Sequence, residues 1–169
     1  MGLKAKHKAA LRRRRIVLVD DHPILRESFA QLIDLEPDLR VCAQAADAHA
    51  ALGEARRALP DLVVVDIELR EASGLDLIKK LRALYPHLPV LALSVHDEVL
   101  YAERALRAGA AGYVMKQASL EEVLGAMRQV LGGKRYVSVK MQARMGEVRR
   151  EGKHTPGAKP QVSHHAVTR

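Results

Sequence analysis

The sequence predicts an α/β fold, a doubly wound parallel sheet with helices on both faces. Three features carry that expectation. Short aliphatic runs alternate with helix-period segments between residues 16 and 131. Two of those runs are almost unbroken apolar stretches, as expected of strands buried on both sides. The segments between them have readable helix ends. Successive strand–helix units imply parallel pairing, because each strand is followed by a helix that packs back on one face before the next strand begins.

The first strand is expected at Ile16–Val19, followed by a helix with Pro23 in its first turn that runs to about Asp34. A second strand is expected at Arg40–Ala43, and Asp47 is placed to cap a helix over 48–58. The third strand, Leu62–Val65, follows the break at Pro60. The fourth, Val90–Leu93, follows Pro86, and Asp97 is placed to cap a helix over 98–108 that Gly109 ends. The fifth strand is Tyr113–Met115. In 119–131, Leu120, Val123, Leu124, Met127, Val130 and Leu131 share one helical face. Ser119 and Glu122 form a capping box at its start, and Gly132-Gly133 stops it.

Composition bounds the function. The 169 residues, 48% hydrophobic, suit one domain with tails. A lone cysteine, Cys42, excludes an intramolecular disulfide framework and suits a reducing cytoplasm. Aromatics at 3%, with no Trp, argue against a base-stacking platform. No apolar run approaches the ~20 residues that span a membrane. The basic N-terminus is followed only by Ile16–Val19 before two aspartates, which is no secretion signal. The net charge of +8 is unevenly placed. Residues 1–15 carry seven Lys/Arg and no acid, 16–133 carry 12 against 18 Asp/Glu, and 134–169 carry nine against two. The expected organisation is a basic tail (1–15), an acidic folded body (16–133), and a basic linker and tail (134–169).

In an open parallel sheet, ligands bind beyond the carboxyl ends of the strands. Four of the five apolar runs end in a residue with chemistry to offer: Asp20-Asp21, Asp66, Ser94 and Lys116. Right-handed crossovers bring these ends to one edge. Two carboxylates ~4 Å apart repel by about 4 kcal/mol at an effective dielectric near 20. Lys116 relieves part of that, and a hard cation such as Mg²⁺, which takes one or two carboxylates plus a phosphate, relieves the rest. Carboxylate, Mg²⁺, hydroxyl and lysine are the parts needed to accept a phosphoryl group. Each residue alone also fits a cap, a turn or a solvated charge; their joint placement at the strand ends is what favours chemistry. His22, beside the aspartates, reads as loop or cap rather than ligand, and Cys42 as a small apolar strand residue.

IVLVDDHPILR, PDLVVVDIELREASGLDLI, VLALSVHDE and AGAAGYVMKQAS, in that order, resemble a two-component response-regulator receiver domain over roughly 16–133, of the NarL/FixJ-type subgroup. The resemblance implies a flavodoxin-like fold of five strands, order 2-1-3-4-5, with five helices. It implies that Asp66 accepts phosphate from a sensor histidine kinase. It further implies that Asp20, Asp21, Asp66 and the backbone carbonyl of Glu68 bind Mg²⁺. Ser94 matches the switch hydroxyl, Lys116 the lysine on the phosphoryl group, and Tyr113 the aromatic whose rotamer follows Ser94. Phosphorylation would then reshape the face made by the fourth helix, fifth strand and fifth helix, with a homodimer as one outcome. Two positions depart from the family pattern: Arg70 stands where a proline is common, and Gln117 where a proline usually follows the lysine.

Only 33 residues follow Tyr136, too few for the helix-turn-helix its subgroup usually appends. Val139–Arg150 could form one short amphipathic helix, and the remainder from Gly152 reads as disordered. The chain fits either a stand-alone receiver or a truncated product of a longer regulator. The favoured function is a cytoplasmic phosphoacceptor signalling module, not a dedicated enzyme. The alternative is a transcriptional regulator that binds nucleic acid through its basic tails, without base readout. A haloacid-dehalogenase-type phosphohydrolase is disfavoured, because here the acidic pair precedes the acceptor and Asp66 is followed by Glu68 and Arg70.

Overall fold

The computed structural model describes residues 12–70, 73–96 and 99–151. Asp97, the expected cap of the fourth helix, and the outer parts of both tails lie outside the described residues. The elements are β1 (Arg14–Val19), α1 (Pro23–Asp34), β2 (Leu39–Ala45), α2 (Ala48–Ala58), β3 (Leu62–Asp66), α3 (Gly74–Leu84), β4 (Val90–Ser94), α4 (Val99–Ala108), β5 (Gly112–Met115), α5 (Leu120–Leu131), β6 (Tyr136–Val137) and α6 (Val139–Glu151). All strand pairs are parallel, in the order β2-β1-β3-β4-β5-β6.

The strand alternation sorts the core into two layers. Ile16, Leu18, Leu62, Val64, Leu91, Leu93 and Val114 face Ile33 of α1 and Val123, Met127 and Val130 of α5. Val17, Val19, Val63, Val65, Val90 and Ala92 face the opposite layer. There, α2 presents Ala51 and Ala55, α4 presents Ala102 and Ala105, and α3 presents Leu77 and Leu81. Each fully buried aliphatic side chain contributes about 1.5–3 kcal/mol. Among the described residues, no helix is long and apolar enough to cross a membrane.

Helix ends follow the sequence closely. Pro23 opens α1, and Asp47 caps α2 by accepting from the Ala50 N–H at 2.8 Å. Ser119 caps α5 by accepting from the Glu122 N–H at 3.1 Å. The Glu122 carboxylate, however, accepts from the Tyr136 hydroxyl at 3.0 Å. Burial and this carboxylate push the Tyr136 hydroxyl up to about 12. Two arginines counted with the basic tail act as C-terminal caps. Arg13 donates to the carbonyls of Asp34, Glu36 and Leu39, and Arg15 to that of Ala58, where α1 and α2 leave orphan carbonyls.

The expected five strands and five receiver helices become six of each; the sixth helix, α6, is the short helix expected over Val139–Arg150, and the sixth strand was not expected. Gly133, at φ +80°, turns the chain back, and the Tyr136 N–H donates to the Ala111 carbonyl at 3.0 Å. The resulting strand has two residues, too short to show an alternation in sequence. α6 then buries Met141 and Met145 in the layer that holds Tyr113. Sheet and core therefore run on past residue 133.

Arg128 of α5 reaches Asp38 and Glu36 at 2.6–2.8 Å, tying α5 to the α1–β2 connection. The Arg128 hydrogen bond holds the Asp38 carboxyl below its ordinary value. Its contribution is therefore present above the ordinary carboxyl range and is lost as pH falls through the lowered value. Both side chains are half-exposed, so solvent screening limits the effect. Arg128→Ala should cost about 1 kcal/mol or less at pH 7. Urea unfolding should show that difference shrinking as the pH is taken below ~4.

Candidate functional site

The carboxyl ends of β1, β3, β4 and β5 meet at one edge of the sheet, and there the structure brings the expected residues together. Asp20 follows the last residue of β1, and Asp66 and Ser94 end β3 and β4. All three are buried: 3% exposed for Asp20 and 0% for Asp66 and Ser94. Lys116 follows β5, where its N–H donates to the Ser94 carbonyl at 2.7 Å. Its Nζ donates to Asp20 Oδ2 at 2.7 Å and to Asp66 Oδ2 at 2.6 Å. One ammonium thus bridges two buried carboxylates.

The other Asp66 oxygen, Oδ1, accepts from the Glu68 N–H at 2.9 Å. Burial pushes the Asp66 carboxyl above its ordinary value, against the opposing pull of Lys116 and the Glu68 N–H. Burial works to lower the Lys116 ammonium, but the hydrogen bonds and charges of Asp20 and Asp66 outweigh it and hold it above its ordinary value.

Ligand atoms of Asp20, Asp21, His22 and Asp66 lie within 4.8 Å of one another. Asp21 Oδ2 accepts from the Arg70 N–H at 3.2 Å and lies 3.1 Å from Arg70 Nε. Asp21 Oδ1 is buried without a hydrogen bond, although His22 Nδ1 stands 2.9 Å away. A buried carboxylate oxygen with unused lone pairs, among further carboxylates, fits a hard divalent cation such as Mg²⁺. His22 occupies the N-cap position of α1 without a side-chain capping bond. Its ring sits on the acids instead, 3.2 Å from Asp20 Oδ1, closer to the cluster than its reading as a cap implies.

Three residues here have no role from the sequence. His96 lies two positions after Ser94. Its N–H donates to Ser94 Oγ at 3.0 Å, and its carbonyl accepts from the buried Tyr113 hydroxyl at 2.5 Å. Its ring pairs with Glu68 at 2.5 Å and stacks on Tyr101, with centroids 4.4 Å apart. Arg26 of α1 donates to the Asp20 carbonyl at 2.5 Å. Gly74, the first residue of α3, packs on the main chain of the proposed acceptor: an added Cβ would meet the Asp66 carbonyl oxygen and lie 2.5 Å from Ile67 Cα. His96 and Gly74 lie within the LSVHDE and SGLDLI segments, but no spacing rule points to these contacts. The Lys116–Gln117 peptide is trans.

Residues 16–128 match the response regulator receiver domain family. The chain belongs to that family. Relatives of this receiver domain include the response regulator GacA of Pseudomonas viridiflava, 36% identical over 73% of this chain and 58% of that one. The transcriptional regulatory protein DegU of Brevibacillus brevis is 31% identical over 75% of this chain and 53% of its own. The chain thus spans only a little over half the length of these curated relatives. Among solved structures, a LuxR-family two-component response regulator from Aurantimonas sp. SI85-9A1 superposes with a TM-score of 0.78 at 36% identity, covering 82% of this chain and 99% of that one. The signal receiver domain of the response regulator NarL from Mycobacterium tuberculosis gives a TM-score of 0.69 at 30% identity, over 73% of this chain and 99% of its own. The flavodoxin-like receiver fold expected from the sequence is present, with the sixth strand and helix added to it.

The tight seat of Gly74 makes the receiver site sensitive to a single methyl group. Gly74→Ala should cost about 1–3 kcal/mol, because the inserted carbon has only main chain to displace. Amide resonances of Asp66, Ile67 and Glu68 should shift in the folded variant more than those of β2, which a generic loss of stability would not single out.

Proposed function

We propose that this receiver domain is the phosphoacceptor of a two-component relay, with Asp66 taking a phosphoryl group from a phosphohistidine of a sensor histidine kinase. The observation that carries the reading is the bridge of Lys116 between Asp20 and Asp66 at a buried sheet edge. A carboxylate oxygen of Asp66 attacks phosphorus, the P–N bond breaks, and the imidazole leaves with the bonding pair. Lys116 is placed to neutralise charge on the transferring oxygens. Asp20, Asp21, Asp66 and the Glu68 carbonyl would hold Mg²⁺, which supplies further positive charge against those oxygens when bound. The Glu68 N–H holds Asp66 in orientation.

Ser94 is the hydroxyl that would turn to the new phosphoryl oxygens. Its Oγ already shares His96 with Tyr113: one takes the residue's N–H and the other donates to its carbonyl. Movement of Ser94 would therefore release or shift the hydrogen bond that holds Tyr113 inside. That links the acceptor to the α4–β5–α5 face as a shift between two existing states. In this reading the domain catalyses its own phosphorylation and is not a dedicated enzyme, a homodimer is a product of the switch, and the compartment is the cytoplasm. The family and relatives named as regulators of transcription support placing it upstream of gene expression.

Incubation with Mg²⁺ and a small phosphodonor should add one phosphoryl group by intact-mass spectrometry to the wild type and none to Asp66→Asn. Equal labelling of both would sink the assignment. Phosphoryl acceptance needs the Asp66 carboxylate, and burial raises its pKa. Without Mg²⁺ the Asp66 carboxyl should therefore titrate above the ordinary carboxylate range, as read from its side-chain carboxyl carbon resonance across a pH series.

A further inference from the structure

The acid pocket carries its own counter-ions. Lys116 is committed to Asp20 and Asp66. Asp21 is held separately, by Arg70. Both the main-chain N–H and the guanidinium of Arg70 approach the same oxygen, Asp21 Oδ2, at 3.2 and 3.1 Å. The two ends of this pair differ sharply in environment: the Asp21 side chain is 9% exposed, whereas that of Arg70 is 73% exposed. The anchored partner is the carboxylate, and the guanidinium is a cation reaching in from solvent.

We propose that Arg70 is an internal competitor for the divalent cation, an exchangeable plug that must leave Asp21 before the pocket can load. The inference rests on the reading of this pocket as a Mg²⁺ site. The plug is removed by displacement, because a divalent cation on the same carboxylate repels a neighbouring unit positive charge. The main-chain N–H of Arg70 keeps Asp21 in place during the exchange, so a change of side chain alters the charge over the pocket without removing that anchor. Asp21 Oδ1, buried without a hydrogen bond and faced by the His22 ring at 2.9 Å, is the oxygen that Arg70 does not hold and the one from which ligation begins. Arg70 is thus a specificity-determining residue: it sets how much Mg²⁺ is needed for the acceptor to become competent.

The exchange is open to direct measurement in the full chain without any phosphodonor. Mg²⁺ would be titrated into wild type, Arg70→Ala and Arg70→Lys, following the amide resonances of Asp20, Asp21 and Asp66 at low ionic strength. Arg70→Ala should bind about two- to fivefold more tightly, the range expected for an ion pair with one exposed partner. Arg70→Lys, which keeps the charge but not the planar fork, should fall between the two. Added NaCl should narrow the gap between wild type and Arg70→Ala, since the guanidinium is open to screening. Saturable binding of equal strength in wild type and Arg70→Ala, or weaker binding in Arg70→Ala, would overturn the proposal alone. If no variant shows a saturable shift at these amides, the Mg²⁺ reading falls, and this proposal with it. Matching thermal melts for the three proteins would separate a changed affinity from a changed fold.

Discussion

The arrangement depends on one problem of charge burial: two carboxylates, Asp20 and Asp66, sit almost wholly out of water at adjacent strand ends. Such a pair is tolerable only with a cation in the right place. Lys116 is that cation, and it is fixed from both directions. Its main chain is tied to Ser94 at the end of β4, while its ammonium spans the two acids. The order of the central strands meets the same requirement: β1 and β3 lie side by side, and β5 ends within a side chain's reach of both. Around this centre the surroundings are built from main-chain contacts: the Arg26 guanidinium on the Asp20 carbonyl, the Glu68 N–H on Asp66, and Gly74 flat against the Asp66–Ile67 peptide.

His96 connects that centre to the far side of the sheet. Neither of its peptide contacts uses the imidazole, so the link between Ser94 and Tyr113 survives any change of ring chemistry that leaves the backbone in place. The ring serves a different end, joining the loop after β4 to Glu68 in the loop after β3 and lying on Tyr101 of α4. Two loops that flank the acceptor are thereby held to each other and to the helix next to them.

Most of the frame was legible because it rests on periodic or local signals. The unbroken apolar runs Ile16–Val19 and Leu62–Val65 supply both layers at once, because successive side chains of a strand point to opposite faces. Asp47 and Ser119 cap helices through contacts three residues away. The acids, hydroxyl and lysine were legible as a set because each ends an apolar run. What was not legible depends on partners distant in sequence. Glu122 has the right spacing for a reciprocal capping box, yet its carboxylate goes to Tyr136, on a strand too short to announce itself. Arg13 and Arg15 look like members of a charge run until the ends of α1 and α2 are seen beside them. Gly74 reads as an ordinary helix start, because only the folded chain brings the Asp66 carbonyl against it.

α6 changes what the end of the described chain is mechanically. It has 13 residues, a rod about 20 Å long, and Met141 and Met145 in its first half pack against the layer that contains Tyr113 and the α4 alanines. From Met145 to Glu151 the helix runs about 9 Å further, so a tilt of roughly 10° about that seat carries Glu151 about 1.5 Å. A repacking of a single ring is thus passed along a rigid axis to the last described turn of the chain.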